Sequence, residues 1–245
     1  MLDFRENLAV QSYCLRHFRD QGIPAVCAKL LETGLPRIGI GNPADPTAFA
    51  DIIRQYHDCG VTINDTFASF SADLDAIRRA FECAQLLGHT SLTADFRLMN
   101  GIDKAFRHAD ALAGEFGIRV AIHNHGATHW LGSQTMLDFV FDNTSENIGL
   151  CLDTAWAYDS HIDPVKACQR WPKRIVGVHF KDFTYSADGS HEDVVIGQGT
   201  IDLPALMQAL RDIDFAGHAN LEYEGEPENP IPALIAGRDA ILKLA

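Results

Sequence analysis

The sequence predicts an α/β fold, a closed (β/α)₈ barrel forming a single domain over residues 1–245, and three observations predict it. An amphipathic stretch followed by a short apolar strand recurs along the whole chain. The strand centres are regularly spaced. Polar side chains collect late in the strands, on the face that alternates with the aliphatic one.

The strand centres are Val10, Ile40, Ile63, Leu92, Ile122, Leu152, Val178 and Leu221, separated by 30, 23, 29, 30, 30, 26 and 43 residues. Strands alternating with helices at this spacing imply parallel βαβ units. Eight such units in a chain of about 250 residues match the usual size of a closed barrel. The competing architecture is a doubly wound open sheet; no GxGxxG follows the first strand and no shift in composition marks a second domain.

The helices have their own signals. Leu74, Ile77, Phe81 and Ala84 share one face, as do Leu203, Leu206, Met207 and Leu210. Ser71 and Ser133 are expected N-caps, and Asp45-Pro46 and Asp163-Pro164 each place an acid before a proline in the first turn. Gly34, Gly60, Gly88, Gly117 and Gly217 each follow a helix and are expected to close it in the left-handed conformation.

Strand parity identifies the inside of the barrel. In "IVGVHFKDF", Val176, Val178 and Phe180 alternate with Gly177, His179 and Lys181; in "IGLCLDT", Ile148, Leu150 and Leu152 alternate with Gly149, Cys151 and Asp153. Ile122 stands against Ala121 and His123, Leu221 against Asn220 and Glu222, and Ile63 against Thr62 and Asn64. The aliphatic residues should meet the helices and the others line the barrel. The polar ones come late in each strand, at the C-terminal mouth where such barrels place their active sites.

Composition excludes other classes. A net charge of −13 repels phosphate backbones, so neither nucleic acid nor an anionic membrane surface is an expected partner. The six cysteines form no CxxC pair and read as reduced, packed thiols. No apolar run approaches the length of a membrane span, and the charged start "MLDFRENLAV" does not fit a signal peptide. A cytoplasmic protein is expected, and a homo-oligomer is allowed by this reading.

His123, His125, Asp153, His179 and Glu222 converge on one mouth. Taken singly, Asp153 can cap a loop, His179 can be a satisfied core histidine and Glu222 can pair with Lys181. Together, several charges buried at one mouth require an opposite charge among them. A mixed N/O donor set suits Mn²⁺, Co²⁺, Zn²⁺ or Fe²⁺ better than Mg²⁺.

The stretches "GLCLDTAW", "VHFKD", "GQGTIDLPALMQAL" and "NLEYE", in that order, resemble the xylose isomerase-like TIM barrels grouped as sugar phosphate isomerases/epimerases, a set that also includes keto-sugar dehydratases. The likeness covers nearly the whole chain and is strongest from Arg119 to Glu224. It implies that Asp153, His179 and Glu222 are metal ligands and that Glu222 also transfers a proton. The sequence departs from the family in two places. His123 stands in the register of the usual fifth-strand glutamate, leaving His123, His125 or His129 to complete the ligand set. Trp156 replaces the histidine that ketose epimerases carry three residues after the aspartate, and its indole suits stacking on a sugar face or closing off water.

The expected chemistry is isomerisation or epimerisation of a keto-sugar, a small-molecule carbohydrate, through an enediolate. Glu222 is the expected base, with His125, an unligated His123 or Glu224 returning the proton. Lys181 is expected to support the developing oxyanion or to hold a salt bridge, and His129 and Glu224 to contact substrate. The alternatives are a lyase that expels a β-leaving group from the same enediolate, and a non-catalytic sugar-binding barrel. An endonuclease needs a basic face that this chain lacks. The long connection "FTYSADGSHEDVVIGQGTID" contains a DG turn and reads as a loop able to close over substrate, or as a static hairpin.

Overall fold

Each strand centre read from the sequence falls within a strand of the computed structural model, which describes residues 3–43 and 46–245. The barrel strands are β1 (Leu8–Gln11), β2 (Arg37–Gly41), β3 (Thr62–Phe70), β4 (Ser91–Phe96), β5 (Arg119–His123), β6 (Ile148–Asp153) and β7 (Ile175–Phe180). After a ribbon of β8 (Asp182–Tyr185) and β9 (His191–Val194), the barrel is completed by β10 (His218–Leu221). These eight close in the order β1-β10-β7-β6-β5-β4-β3-β2, every neighbouring pair parallel.

The helices cover the outside: α1 (Phe4–Asn7), α2 (Ile23–Glu32), α3 (Phe49–Asp58), α4 (Leu74–Leu86), α5 (Ile102–Phe116), α6 (Gln134–Asp142), α7 (Thr154–Asp159), α8 (Pro164–Arg170), α9 (Leu203–Asp212) and α10 (Ile231–Leu242). Outward residues such as Val10, Ile38, Leu92, Ile122, Leu152 and Val178 are buried against helix residues such as Ile77, Phe81, Leu206 and Leu210. That apolar layer is the main core. No helix among the described residues is long and apolar enough to cross a membrane. All six cysteines are unpaired thiols.

Local signals mostly act as expected. Ser133 and Asp163 cap α6 and α8, accepting the Met136 N–H and the Val165 N–H respectively. Asp45 lies outside the described residues. The α4 cap is Asp73, which accepts the Ala76 N–H at 3.0 Å, whereas Ser71 sits two residues earlier and accepts the Asp73 N–H. On that helix Ile77, Phe81 and Ala84 are buried, while Leu74, in the first turn, is 37% exposed.

Gly34, Gly60, Gly88 and Gly117 have positive φ, as a left-handed helix stop requires. Gly217 does not. After α9 it is Asp214 that turns left-handed, with φ 51°, and Gly217 serves close approach, because a Cβ there would stand 1.8 Å from the Val176 carbonyl oxygen.

Strict parity fails at two places in the ladder. Leu150 pairs with Ile175 but Cys151 pairs with Gly177, so β7 carries an extra residue, Val176. The bulge turns Val176 into the barrel, where it packs with Ala121 and Cys151 instead of with the outward Val178 and Phe180. A similar slip opposite Ile38 and Gly39 inserts Asn64 into β3. Asn64 still reaches Asn220 across the interior at 3.4 Å. Thr62, expected inside, is exposed at the strand start, and Asp65 and Phe67 take the inward positions that unbroken alternation would give to their neighbours.

Candidate metal centre

Alternation along β5 and β6, and along β7 beyond the Val176 bulge, delivers His123, Asp153 and His179 to the C-terminal mouth, and Glu222 follows directly after β10, its N–H donating to the Phe180 carbonyl at 3.1 Å. One ligand atom from each of the four lies within 4.8 Å of the others. His123 Nε2 is 3.0 Å from His179 Nδ1, 3.6 Å from Asp153 Oδ2 and 3.9 Å from Glu222 Oε2, and His179 Nδ1 is 2.5 Å from Glu222 Oε2. None of the four is more than 9% exposed.

The two oxygens of Asp153 have separate roles. Oδ1 caps α7 by accepting the Trp156 N–H at 2.9 Å. Oδ2 is buried and has no hydrogen-bond partner, as is His123 Nδ1. Capping and ligation are therefore compatible uses of one side chain, and a bare carboxylate oxygen beside two imidazoles and a second carboxylate is a donor set that fits a divalent cation.

The electrostatics agree with this fit. Burial, and then the Glu222 charge, push Asp153 well above the usual carboxylate range. Burial opposes ionisation of Glu222 too, but His179 and then Lys181 outweigh it and hold Glu222 below that range. Burial, reinforced by His179, keeps His123 neutral, so its approach to Asp153 is no ion pair. Burial disfavours the imidazolium of His179, yet Cys151 and Glu222 overcome this and raise it. Without a cation, one carboxylate is driven toward its neutral form and one imidazole toward its charged form.

A cavity of about 460 Å³ opens above these residues, lined by Gln11, Ser12, Tyr13, Arg19, Gly41, Phe67, His123, His125, Trp156, His179, Glu222 and Glu224. His125 follows β5 by two residues, its ring 4.7 Å from that of His123, and burial lowers its pKa below the ordinary imidazole value. His129 is not among the lining residues. It stands behind His125, ring centroids 4.9 Å apart, with Nε2 3.3 Å from Asp95 Oδ1 and Nδ1 accepting the Leu131 N–H. A cleft of about 510 Å³ on the outer surface, touching Tyr158, Asp163 and Leu206, holds no ligand cluster among the described residues.

Lys181 is fully buried below the cavity, its ammonium 2.6 Å from Glu224 Oε1, 3.0 Å from Asp193 Oδ1 and 3.8 Å from Glu222 Oε1. It is thus a salt-bridge partner, set in a network that ends on two cavity carboxylates. The long connection after β7 is the β8–β9 ribbon, not an irregular loop. Buried Asp182 ties down the "GQGT" turn by accepting the N–H groups of Gly197, Gly199, Thr200 and Ile201. Gly199 is required there, since a Cβ would meet Asp182 Oδ1 at 2.4 Å. His191 of the ribbon stacks on Phe183 at 4.0 Å and meets Trp156 edge-on at 5.2 Å, so the ribbon braces the indole that walls the cavity.

Sequence reading missed several members. Asn124, between the two histidines, hydrogen-bonds the backbone of Asp153 in both directions, at 3.0 and 2.9 Å. Gln11 ends β1 in the same late position as the predicted residues and was open to the same argument. Arg19 and Tyr13 come from a 3₁₀ segment (Ser12–Gln21) whose path carries no period to read.

Residues 16–244 match the model of the xylose isomerase-like TIM barrel family. Among curated proteins, the rhizopine catabolism protein MocC of Rhizobium meliloti is 30% identical over 147 residues, 54% of this chain and 45% of that protein. Inosose dehydratase of Lacticaseibacillus casei is 28% identical over 137 residues, 49% of this chain and 45% of the dehydratase. The chain thus spans about half the length of these curated relatives. Among solved structures, a sugar phosphate isomerase/epimerase from Parabacteroides distasonis superposes with TM-score 0.75 at 18% identity, covering 96% of this chain and 95% of that one. The IOLI protein with a bound zinc atom does so with TM-score 0.76 at 16% identity, covering 97% of each chain. With a closed eight-stranded barrel and a family match that runs through nearly all of its length, the chain belongs to the xylose isomerase-like TIM barrel family.

Proposed function

We propose that this protein is a metal-dependent isomerase or epimerase that removes a proton beside the carbonyl of a keto-sugar and returns it to the same or the neighbouring carbon. The observation that carries the reading is the buried, unpartnered Asp153 Oδ2 among His123, His179 and Glu222 at the floor of the cavity. A divalent cation of the Mn²⁺, Co²⁺, Zn²⁺ or Fe²⁺ kind, held by these four, supplies the positive charge that acidifies hydrogens beside a carbonyl.

The rest is the work of the chain's own residues. Glu222, held ionised by its cationic neighbours, takes the proton, and the neutral His125 across the cavity exchanges one with the substrate. Lys181 reaches the substrate only through Glu222 and Glu224, whose charge and position it fixes. Trp156 covers one side and excludes water, while Gln11 and Arg19 offer donors to substrate hydroxyls.

A second reading, dehydration, is favoured by one observation: relatives matching about half of the chain are inosose dehydratases. There, removal of the same proton is followed by departure of a β-hydroxyl, which leaves as water carrying the proton that Glu222 has just taken up, so that Glu222 returns to its ionised form. Both readings are tested by incubating the metal-loaded protein with ketoses and cyclic polyhydroxy ketones in deuterium oxide. Carbon-bound deuterium in an isomeric product supports the first reading, and an unsaturated product lighter by one water supports the second. Absence of exchange with every ketone would sink both and leave a binding barrel.

A further inference from the structure

A second group of ligand-type side chains lies beneath the mouth, outside the chemistry just described. Cys151 pairs in register with Gly177, one inward layer below the Asp153–His179 pair. One ligand atom from each of Cys151, His179 and His218 lies within 4.8 Å of the other two, and all three residues are buried. Modest movement closes such a set around an ion held at about 2.0–2.3 Å by nitrogen and sulfur.

His179 presents a different nitrogen to each layer. Nδ1 faces His123 and Glu222, whereas Nε2 faces Asn220 at 3.3 Å. His218 contacts Ser91 Oγ through Nδ1 (3.2 Å) and Thr93 Oγ1 through Nε2 (2.9 Å), one of which an ion would displace, and Gly177 leaves it room, since a Cβ there would stand 2.0 Å from His218 Nε2. Thr93 also donates to Asp65 Oδ2 at 2.7 Å, and Asp65, 1% exposed, keeps its other oxygen, Oδ1, buried without a hydrogen-bond partner. Asp65 Oδ2 also stands 3.7 Å from His218 Nε2, so a buried carboxylate lies beside the cluster.

We propose that Cys151, His179 and His218 form a second, sulfur-containing cation site stacked beneath the first, suited to Zn²⁺ or Co²⁺, with the His179 ring shared between the two as a bridging imidazolate whose ring protons, like that of the Cys151 thiol, are released to solvent when both ions bind. The thiolate selects softer metals than the N/O set above it, and together with Asp65 it balances a divalent charge. Ser91 also lines an open groove of about 660 Å³ at the N-terminal ends of the strands, so that groove reaches a hydrogen-bond partner of His218 from the side opposite the substrate cavity. The inference is independent of the keto-sugar reading.

The test is a Co²⁺ titration of the metal-free full chain, followed by the near-ultraviolet thiolate-to-cobalt charge-transfer band. The wild type should bind two ions per chain, one of them with the band. Cys151→Ser should bind one ion and show no band, and His218→Gln should weaken the banded site by about tenfold or more. His123→Ala should lose the upper ion and keep the band. A wild type saturated without any thiolate band overturns the site, as does a Cys151→Ser variant that keeps it. If Cys151→Ser fails to fold, an unchanged banded affinity in His218→Gln overturns it equally.

Discussion

Asn124 and Asp153 hold each other through a pair of hydrogen bonds: Asn124 Nδ2 donates to the Asp153 carbonyl at 3.0 Å, and the Asp153 N–H donates to Asn124 Oδ1 at 2.9 Å. The clamp joins the ends of β5 and β6 beside two candidate ligands. With Asp153 Oδ1 committed to the Trp156 N–H, it helps fix where Oδ2 lies. Asn124→Ala should therefore lower divalent-cation affinity by about 10–100-fold while the circular dichroism spectrum is kept. Competition titration with a chromophoric chelator measures this, and wild-type affinity in the variant would remove the clamp from the site.

Asp153→Ala and His179→Ala should each abolish metal retention at the mouth and leave the barrel folded. The large apolar layer between strands and helices does not depend on either side chain, and the lost α7 cap costs only about 1 kcal/mol. Metal content after gel filtration, read beside thermal melts, decides. Unfolding of both variants would mean that these residues are structural.

Lys181→Met should be strongly destabilising. It leaves Glu222, Glu224 and Asp193 facing one another without the ammonium that lies between them, and Lys181 itself is only 1% exposed. Removing one partner of a buried charge cluster costs about 3–5 kcal/mol; since Asp193 and Glu224 keep some contact with water, the lower end is expected. Urea denaturation gives the value. Adding Glu224→Gln should recover part of the loss, and a Lys181→Met variant as stable as the wild type would show that the network contributes nothing.

The fold was legible because the residues that decide it act locally. Ile122, Leu152, Val178 and Leu221 mark strands by alternation alone, and the same alternation leads to His123, Asp153 and His179, the last because it lies beyond the Val176 bulge in β7. One extra residue shifts alternation between the two sides of a bulge, so a period read on one side fails on the other. Val176 was therefore assigned to the wrong face, and Asp65 and Phe67 went unnoticed behind the bulge at Asn64. The Asn124 clamp and the Lys181 network depend on contacts between segments far apart in sequence, which periodicity does not report. Trp156 was legible as a wall residue, but the ribbon that braces it was not, because its anchor is the single buried carboxylate of Asp182.

His89 gives a pH dependence away from the metal centre. Its Nε2 lies 3.1 Å from the Ile63 carbonyl, and burial lowers its pKa below the ordinary imidazole value. The unfolded chain therefore takes up this proton at higher pH than the folded one does. The stability linked to His89 is complete above the unfolded value and is lost as pH falls through it toward the folded value. In paired urea titrations across that window, His89→Asn should lose less stability than the wild type on acidification. Parallel curves would show that His89 is not a source of the slope.

The last prediction separates the two histidines of "IHNHG". His123 lies within the four-ligand cluster, whereas His125 lines the cavity beyond it. With His123 as a ligand, Asp153 and Glu222 contribute the two negative charges and the nitrogens favour the later first-row metals. His123→Glu should keep a cation but move the preference toward Mg²⁺ or Mn²⁺, because a third carboxylate hardens the site. His125→Ala should bind metal as the wild type does while turnover falls by about 10²–10⁴-fold, the usual contribution of a positioned proton-transfer group. Competition titrations and single-turnover deuterium exchange on both variants measure the two effects separately. Loss of metal in His125→Ala together with retention in His123→Ala would reverse the assignment, making His125 the fifth-strand ligand and His123 the residue free to move a proton.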